Sequence, residues 1–156
     1  MSITFKKGNA VSALIDGEID CLLHCVNCQG VFASGIAGEI RKRIPMAYQE
    51  YMEFYGNNKV DMLGKFAWCG TRVVHLAAQQ FYGKDGKRYV NYGALANALC
   101  HFAREAKPYR GHIVKRIGIP YNMCCGLAGG DWNIVLELVE YFLKDFNVVI
   151  YELEGK

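Results

Sequence analysis

The chain has 156 residues, so one domain over residues 1–156 with a full hydrophobic core is expected. Its 52% apolar content excludes a disordered chain, and it has no run of ~18 apolar residues to span a membrane. The net charge is only +3, with short basic groups at Arg41-Lys42-Arg43 and from Lys84 to Arg88, so no dedicated nucleic-acid surface is expected.

In chain order, "SITFKK" reads as a first strand. The opening "MSITFKKGNA" lacks the apolar segment of a secretory signal, and a cytoplasmic location is expected. Residues 19 to 27, "IDCLLHCVN", form a nearly continuous apolar run, as in a strand buried on both faces. Residues 35 to 55 have helical character, and Pro45 breaks the pattern or starts a second helix. "GKFAWCG" and "TRVVHLAAQ" predict two strands around a turn at Gly70.

Residues 91 to 106 carry Leu95, Leu99, Phe102, Ala103 and Ala106 at helical spacing. "GHIVKRIGIP" predicts a further strand. "DWNIVLELVEYFLKDF" is amphipathic through Val135, Leu138, Val139 and Phe142, with Asp131 placed as its cap. "NVVIYEL" closes the chain as a strand. Strands alternating with helices predict a three-layer α/β/α fold around a central mixed, largely parallel sheet.

Ligands of such sheets bind beyond the carboxyl ends of the strands. Two loops stand there: Asn27 to Ala37, and "PYNMCCGLAGGDW" at residues 120 to 132. Each follows a strand, carries glycines and opens a helix. Glycine lets backbone approach a ligand closely, and a helix N-terminus offers free N–H groups with a partial positive charge. Two such loops suit two linked phosphates, as in a nucleotide diphosphate. The alternative is that the glycines only make tight turns.

Four stretches together resemble the macrodomain family, the ADP-ribose-binding module, from Gly8 to Tyr151: "KKGNAV", "HCVNCQGVFASGIAGEIRKRIP", "YGKDGKRYVNY" and "IPYNMCCGLAGGDWNIV". The pattern looks most like the compact phage and bacterial branch described as ADP-ribose 1''-phosphate phosphatases. The resemblance implies ADP-ribose or its 1''-phosphate as ligand, hydrolysis of the terminal phosphate, no cofactor and a monomer. Gly8, Asn9 and Ala10 fall at the adenine-contacting segment, where Asn9 replaces the family's aspartate. Asn27 falls on the asparagine that contacts the distal ribose. Gly30, Val31, Ser34, Gly35, Ile36 and Ala37 match the first phosphate loop. Pro120, Tyr121, Cys124, Cys125, Gly126, Leu127, Ala128, Gly129 and Gly130 match the second, with Cys124 where glycine is common. In the branch that removes ADP-ribose from glutamate, an aspartate takes the place of Ala128. The resemblance therefore implies a phosphatase, with a glycohydrolase acting on modified protein or DNA, or a non-catalytic reader, as alternatives.

Asp131 is the candidate catalyst, as a general base near the distal ribose, alongside Asn27; its other role is the helix cap. His24 and His75 lie within strands and read as core histidines. Tyr82, Tyr89 and Tyr92 are candidates to wall a base or ribose pocket, or to pack at the solvent edge. Trp132 reads as a core anchor. The seven cysteines, an odd number lying partly in apolar runs, read as reduced thiols. Cys25 and Cys28 straddle a strand end, and Cys124 and Cys125 are contiguous. Neither arrangement suits a tetrahedral zinc site or a thioredoxin-like pair, and no metal is expected.

Overall fold

A computed structural model describes residues 2–107 and 114–155. The strands are β1 (Ser2–Lys7), β2 (Cys21–Asn27), β3 (Phe66–Ala67), β4 (Val73–Gln79), β5 (Arg116–Pro120) and β6 (Asn147–Glu152). The helices are α1 (Ala10–Ile15), α2 (Gly35–Arg43), α3 (Pro45–Asn57), α4 (Tyr92–Ala106) and α5 (Trp132–Phe142). The sheet order is β1-β6-β5-β2-β4-β3. Every pairing is parallel except the short antiparallel edge pair β3–β4.

The side-chain period of a strand sorts the core into two layers. On β2, Cys21 and Leu23 join a cluster with Leu95, Leu99 and Phe102 of α4 and with Val135 and Val139 of α5. Leu22 and Val26 point the other way, to Val11 and Leu14 of α1, Ile40 of α2, and Tyr51 and Phe54 of α3. This double burial is why β2 reads as an unbroken apolar run.

Two local expectations are sharpened and one helix is added. Pro45 opens α3, where its missing N–H costs no helical bond. The strand sought in "GHIVKRIGIP" is Arg116–Pro120; Gly111 to Ile113 lie outside the described residues. Helix α1 was not legible in the sequence: it has six residues, too few for a clear period, and is set by Asn9, whose Oδ1 accepts from the Ser12 N–H at 3.0 Å.

The cysteine reading is corrected. Cys25 and Cys124 are joined as a disulfide, with their Cα atoms 5.8 Å apart and a sequence separation of 99. Parallel β2 and β5 lie side by side, so the turn after β5 lands beside the end of β2. Spacing along the chain carries no trace of that proximity. The other five cysteines are free thiols.

Candidate functional site

The carboxyl ends of the parallel strands open into a cleft of about 1260 Å³. Its lining brings together Gly8, Asn9, Ala10, Asn27, Val31, Ser34, Gly35, Ile36, Ala37, Pro120, Tyr121, Cys124, Gly126, Leu127 and Ala128, all singled out from sequence. Five others do not line it: Gly30, Cys125, Gly129, Gly130 and Asp131. The cleft also takes in His24, Cys25, Phe32, Glu39, Tyr82, Lys84 and Glu152.

The first loop is held from below by Tyr51, which is fully buried in α3. Its hydroxyl lies 2.8 Å from the Asn27 carbonyl and 3.0 Å from Asn27 Oδ1, to which it donates, and it accepts from the Gly30 N–H at 3.1 Å. Gly30 has φ 76°, and a Cβ there would meet the Tyr55 ring at 2.8 Å. Gly30 is thus a hinge pressed onto α3, with its amide turned away from the cleft. Asn27 is equally committed. Its Oδ1 accepts from the Gln29 N–H at 3.0 Å, and its Nδ2 donates to the Val31 carbonyl at 2.8 Å. Its amide shapes the loop.

At the top of this loop, Ser34 is the N-cap of α2 but makes no side-chain cap bond. Among the described residues, the first-turn N–H groups of Gly35, Ile36 and Ala37 find no protein acceptor. Helices α1, α4 and α5, by contrast, are capped by Asn9, Asn91 and Asp131. An uncapped helix start facing a cleft is a place for negative charge.

The second loop works differently from the sequence expectation. Asp131 closes the start of α5 by accepting from the Asn133 N–H at 2.9 Å, and its own N–H donates to the Tyr92 hydroxyl at 2.9 Å. Gly129 and Gly130 turn their backs to the cleft. A Cβ on Gly129 would lie 2.7 Å from the Lys87 carbonyl oxygen, and one on Gly130 would lie 2.6 Å from that of Cys124. These glycines permit close packing on the segment before α4, where the Ala128 carbonyl accepts from Tyr89 and Val90. The cleft is served instead by Gly126, Leu127 and Ala128, whose N–H groups have no acceptor among the described residues.

Asn9 spends its Oδ1 on capping α1 and donates from Nδ2 to Glu39 Oε1 at 2.7 Å. The carboxylate bonded to Asn9 is therefore Glu39, which is also bonded to Arg43 at 3.3 Å. Sequence reading missed it because it lies one turn into a helix whose face was not assigned. Tyr82 and Lys84 come from the "YGKDGKR" segment and also line the cleft, whereas Tyr89 is turned to Asp85, to which its hydroxyl donates at 2.8 Å. Trp132 packs partly buried on the core, its ring 5.2 Å from that of Tyr121.

His24 and His75 are directly opposed in the β2–β4 register and share one bond, Nε2 to Nδ1, at 2.8 Å. His24 Nδ1 and His75 Nε2 have no partner. Burial keeps both rings neutral: His75 is pushed down to about 3, and His24 is held well below the usual imidazole value by burial and by His75 beside it. Phe32 caps the pair, 5.3 Å from His24 and 5.7 Å from His75 between ring centroids. Among the described residues no three His, Cys, Asp or Glu side chains gather as a metal site. No helix among them is long and apolar enough to cross a membrane.

No family model matches the chain. A protein named ADP-ribose 1''-phosphate phosphatase from Saccharomyces cerevisiae is 28% identical over 178 residues, which span 97% of this chain and 99% of that protein. Among solved structures, the macrodomain of Mycobacterium tuberculosis DarG superposes with a TM-score of 0.74 at 22% identity, over 96% of this chain and 97% of that one. Thermosipho africanus DarTG in complex with ADP-ribose gives 0.74 at 17% identity, over all of this chain and 43% of that one. The sheet order, the two helical layers and these superpositions together give the chain the macrodomain fold.

Proposed function

We propose that the chain binds ADP-ribose 1''-phosphate and hydrolyses its terminal phosphate. One observation carries the binding part: two stretches of unengaged N–H groups, residues 35–37 and 126–128, line a single cleft of about 1260 Å³. Linked phosphates lying between them receive donors from both sides, with the start of α2 adding its partial positive charge. The cleft is larger than a typical small-ligand pocket, which suits a dinucleotide-sized molecule. The phosphatase part is supported by the full-length relative of that printed name. Water would attack phosphorus as the bond to the ribose oxygen breaks, and the chain's contribution is positioning and charge stabilisation by fixed N–H groups. Asp131, outside the cleft lining and engaged as a cap, has lost its geometric support as the base.

A second reading, a reader that holds ADP-ribose without turnover, is favoured by two specific observations. Asn27 is consumed by its own loop, and the cleft's imidazole, His24, is buried and neutral. The reading extends to a cytoplasmic monomer. A panel assay separates the possibilities: phosphate release from ADP-ribose 1''-phosphate, ADP-ribose release from modified protein and DNA, and ADP-ribose affinity. Phosphate release alone supports the phosphatase. Tight ADP-ribose binding without turnover on any substrate supports the reader. Absence of both phosphate release and ADP-ribose binding refutes both.

A further inference from the structure

The Cys25–Cys124 bond occupies a particular place in the sheet. The ladder between β2 and β5 consists of Cys21–Ile117 and Leu22–Gly118 and goes no further. Beyond it the two strands part, and the space between their ends is the cleft floor. The disulfide spans that space. It ties the middle of the second loop to the sheet, while the loop's ends are held by the Tyr121 N–H on the Tyr151 carbonyl and by the Ala128 carbonyl.

Cys124 has φ 65°, a left-handed conformation that penalises a residue with a Cβ and that glycine adopts freely. A cysteine kept in a glycine's conformation needs a reason, and the bond to Cys25 supplies one. The Cα separation of 5.8 Å is the usual one for a bridged pair. Both residues line the cleft, so a small solute entering it reaches the bond.

We propose that Cys25 and Cys124 are a reversible thiol–disulfide pair, exchanged by low-molecular-weight thiols and disulfides, and that the bridged state is the one that binds ligand tightly. The ligand part rests on the ADP-ribose reading above. In oxidation, one cysteine thiolate attacks a sulfur of the small disulfide, whose S–S bond breaks and expels a thiolate. The second cysteine thiolate attacks the protein sulfur of the mixed disulfide and expels the other. The two cysteines lose two electrons and two protons, and the small disulfide becomes two thiols. Reduction reverses each step.

The neighbouring thiols do not compete. Cys125 donates to the Met123 carbonyl at 3.2 Å, and burial pushes it up to about 11. Burial also raises Cys28 to about 11 and Cys21 to about 12. Separated thiols need more room than bonded sulfurs, so reduction frees the second loop to lift from the floor. Binding must then order the N–H groups of residues 126–128 that the bridge holds in place.

The test equilibrates the full chain in glutathione mixtures of graded ratio. It reads the Cys25–Cys124 linked peptide by mass spectrometry and ADP-ribose affinity by calorimetry on the same samples. The linked peptide should appear on oxidation and vanish on reduction. The dissociation constant should weaken about tenfold on reduction, a change equivalent to ~1.4 kcal/mol. The Cys25→Ser/Cys124→Ser variant should bind like the reduced protein at every ratio, and Cys69→Ser, an exposed thiol outside the cleft, should follow the wild type. No linked peptide at any ratio overturns the pair. A linked peptide with unchanged affinity overturns its control of binding. No ADP-ribose binding in either state overturns the ligand reading and that control together, while the peptide still reports the pair by itself.

Discussion

Replacing Tyr51 by phenylalanine removes one oxygen atom and leaves the ring in place. The ring packs on Phe32 and His75, with centroids 4.8 and 5.9 Å away, and those contacts persist. The hydroxyl joins α3 to the first loop through Asn27 and Gly30, and its loss leaves the Gly30 N–H and an Asn27 oxygen without that partner. A buried group stripped of its partner costs about 1–3 kcal/mol, so ~2 kcal/mol of stability should be lost. For a chain of this length that is a fall in Tm of roughly 4–8 °C. The same anchor places the loop that leads into the open start of α2, so ADP-ribose affinity should fall about fivefold as ~1 kcal/mol of ordering shifts to the binding step. Calorimetric melting and titration read the two effects separately. Tyr48→Phe is the control, because no hydrogen bond to the Tyr48 hydroxyl is present among the described residues and its ring is stacked by Arg41. A Tyr51→Phe protein that melts and binds like Tyr48→Phe would refute the anchoring argument.

Ser34→Asp should raise stability by about 0.5–1 kcal/mol, by capping the uncapped α2, while weakening ADP-ribose binding tenfold or more by filling the anion place; parallel changes in melting and affinity would sink the cradle. Asp131→Asn should keep the α5 cap and leave phosphate release near the wild-type rate, and a fall of ~10²-fold would restore this carboxylate as the base. Gly129→Ala should cost about 1–3 kcal/mol through its contact with the Lys87 carbonyl and its φ of 73°, with ADP-ribose affinity preserved in the folded fraction. Tm should also fall with acidification. His75 titrates near 6.5 when unfolded and about 3 when folded, so its contribution is complete above 6.5 and is lost as pH falls toward 3. Between pH 6.5 and 5 the loss from His75 is on the order of 1 kcal/mol per pH unit, and His75→Gln should flatten that slope; an unchanged slope would exclude His75 as its source.

The features legible in the sequence are those that burial or backbone geometry writes locally. A strand covered on both faces must be apolar throughout, and residues 21–27 are, apart from His24 and Asn27. A helix covered on one face must repeat its apolar side chains, and α4 does so from Leu95 to Ala106. Pro45 can only start a helix, and Asp131 is well suited to cap one. The two cleft loops were legible for the same reason, since each lies between a clear strand and a clear helix. Which atoms of those loops face the cleft was decided by tertiary contacts. Gly129 and Gly130 read as cradle glycines, yet they are small because the segment at residues 87–90 and the Cys124 carbonyl lie against them. Asn27 reads as a ligand contact, yet Tyr51, from 24 residues further along, draws its oxygen into the loop. Glu39 supplies the carboxylate beside Asn9 because α2 folds over the end of α1. The Cys25–Cys124 bond exists because parallel strands bring together ends 99 residues apart. Local pattern records how much of a residue is buried; the crossover connections of a parallel sheet determine what it is buried against.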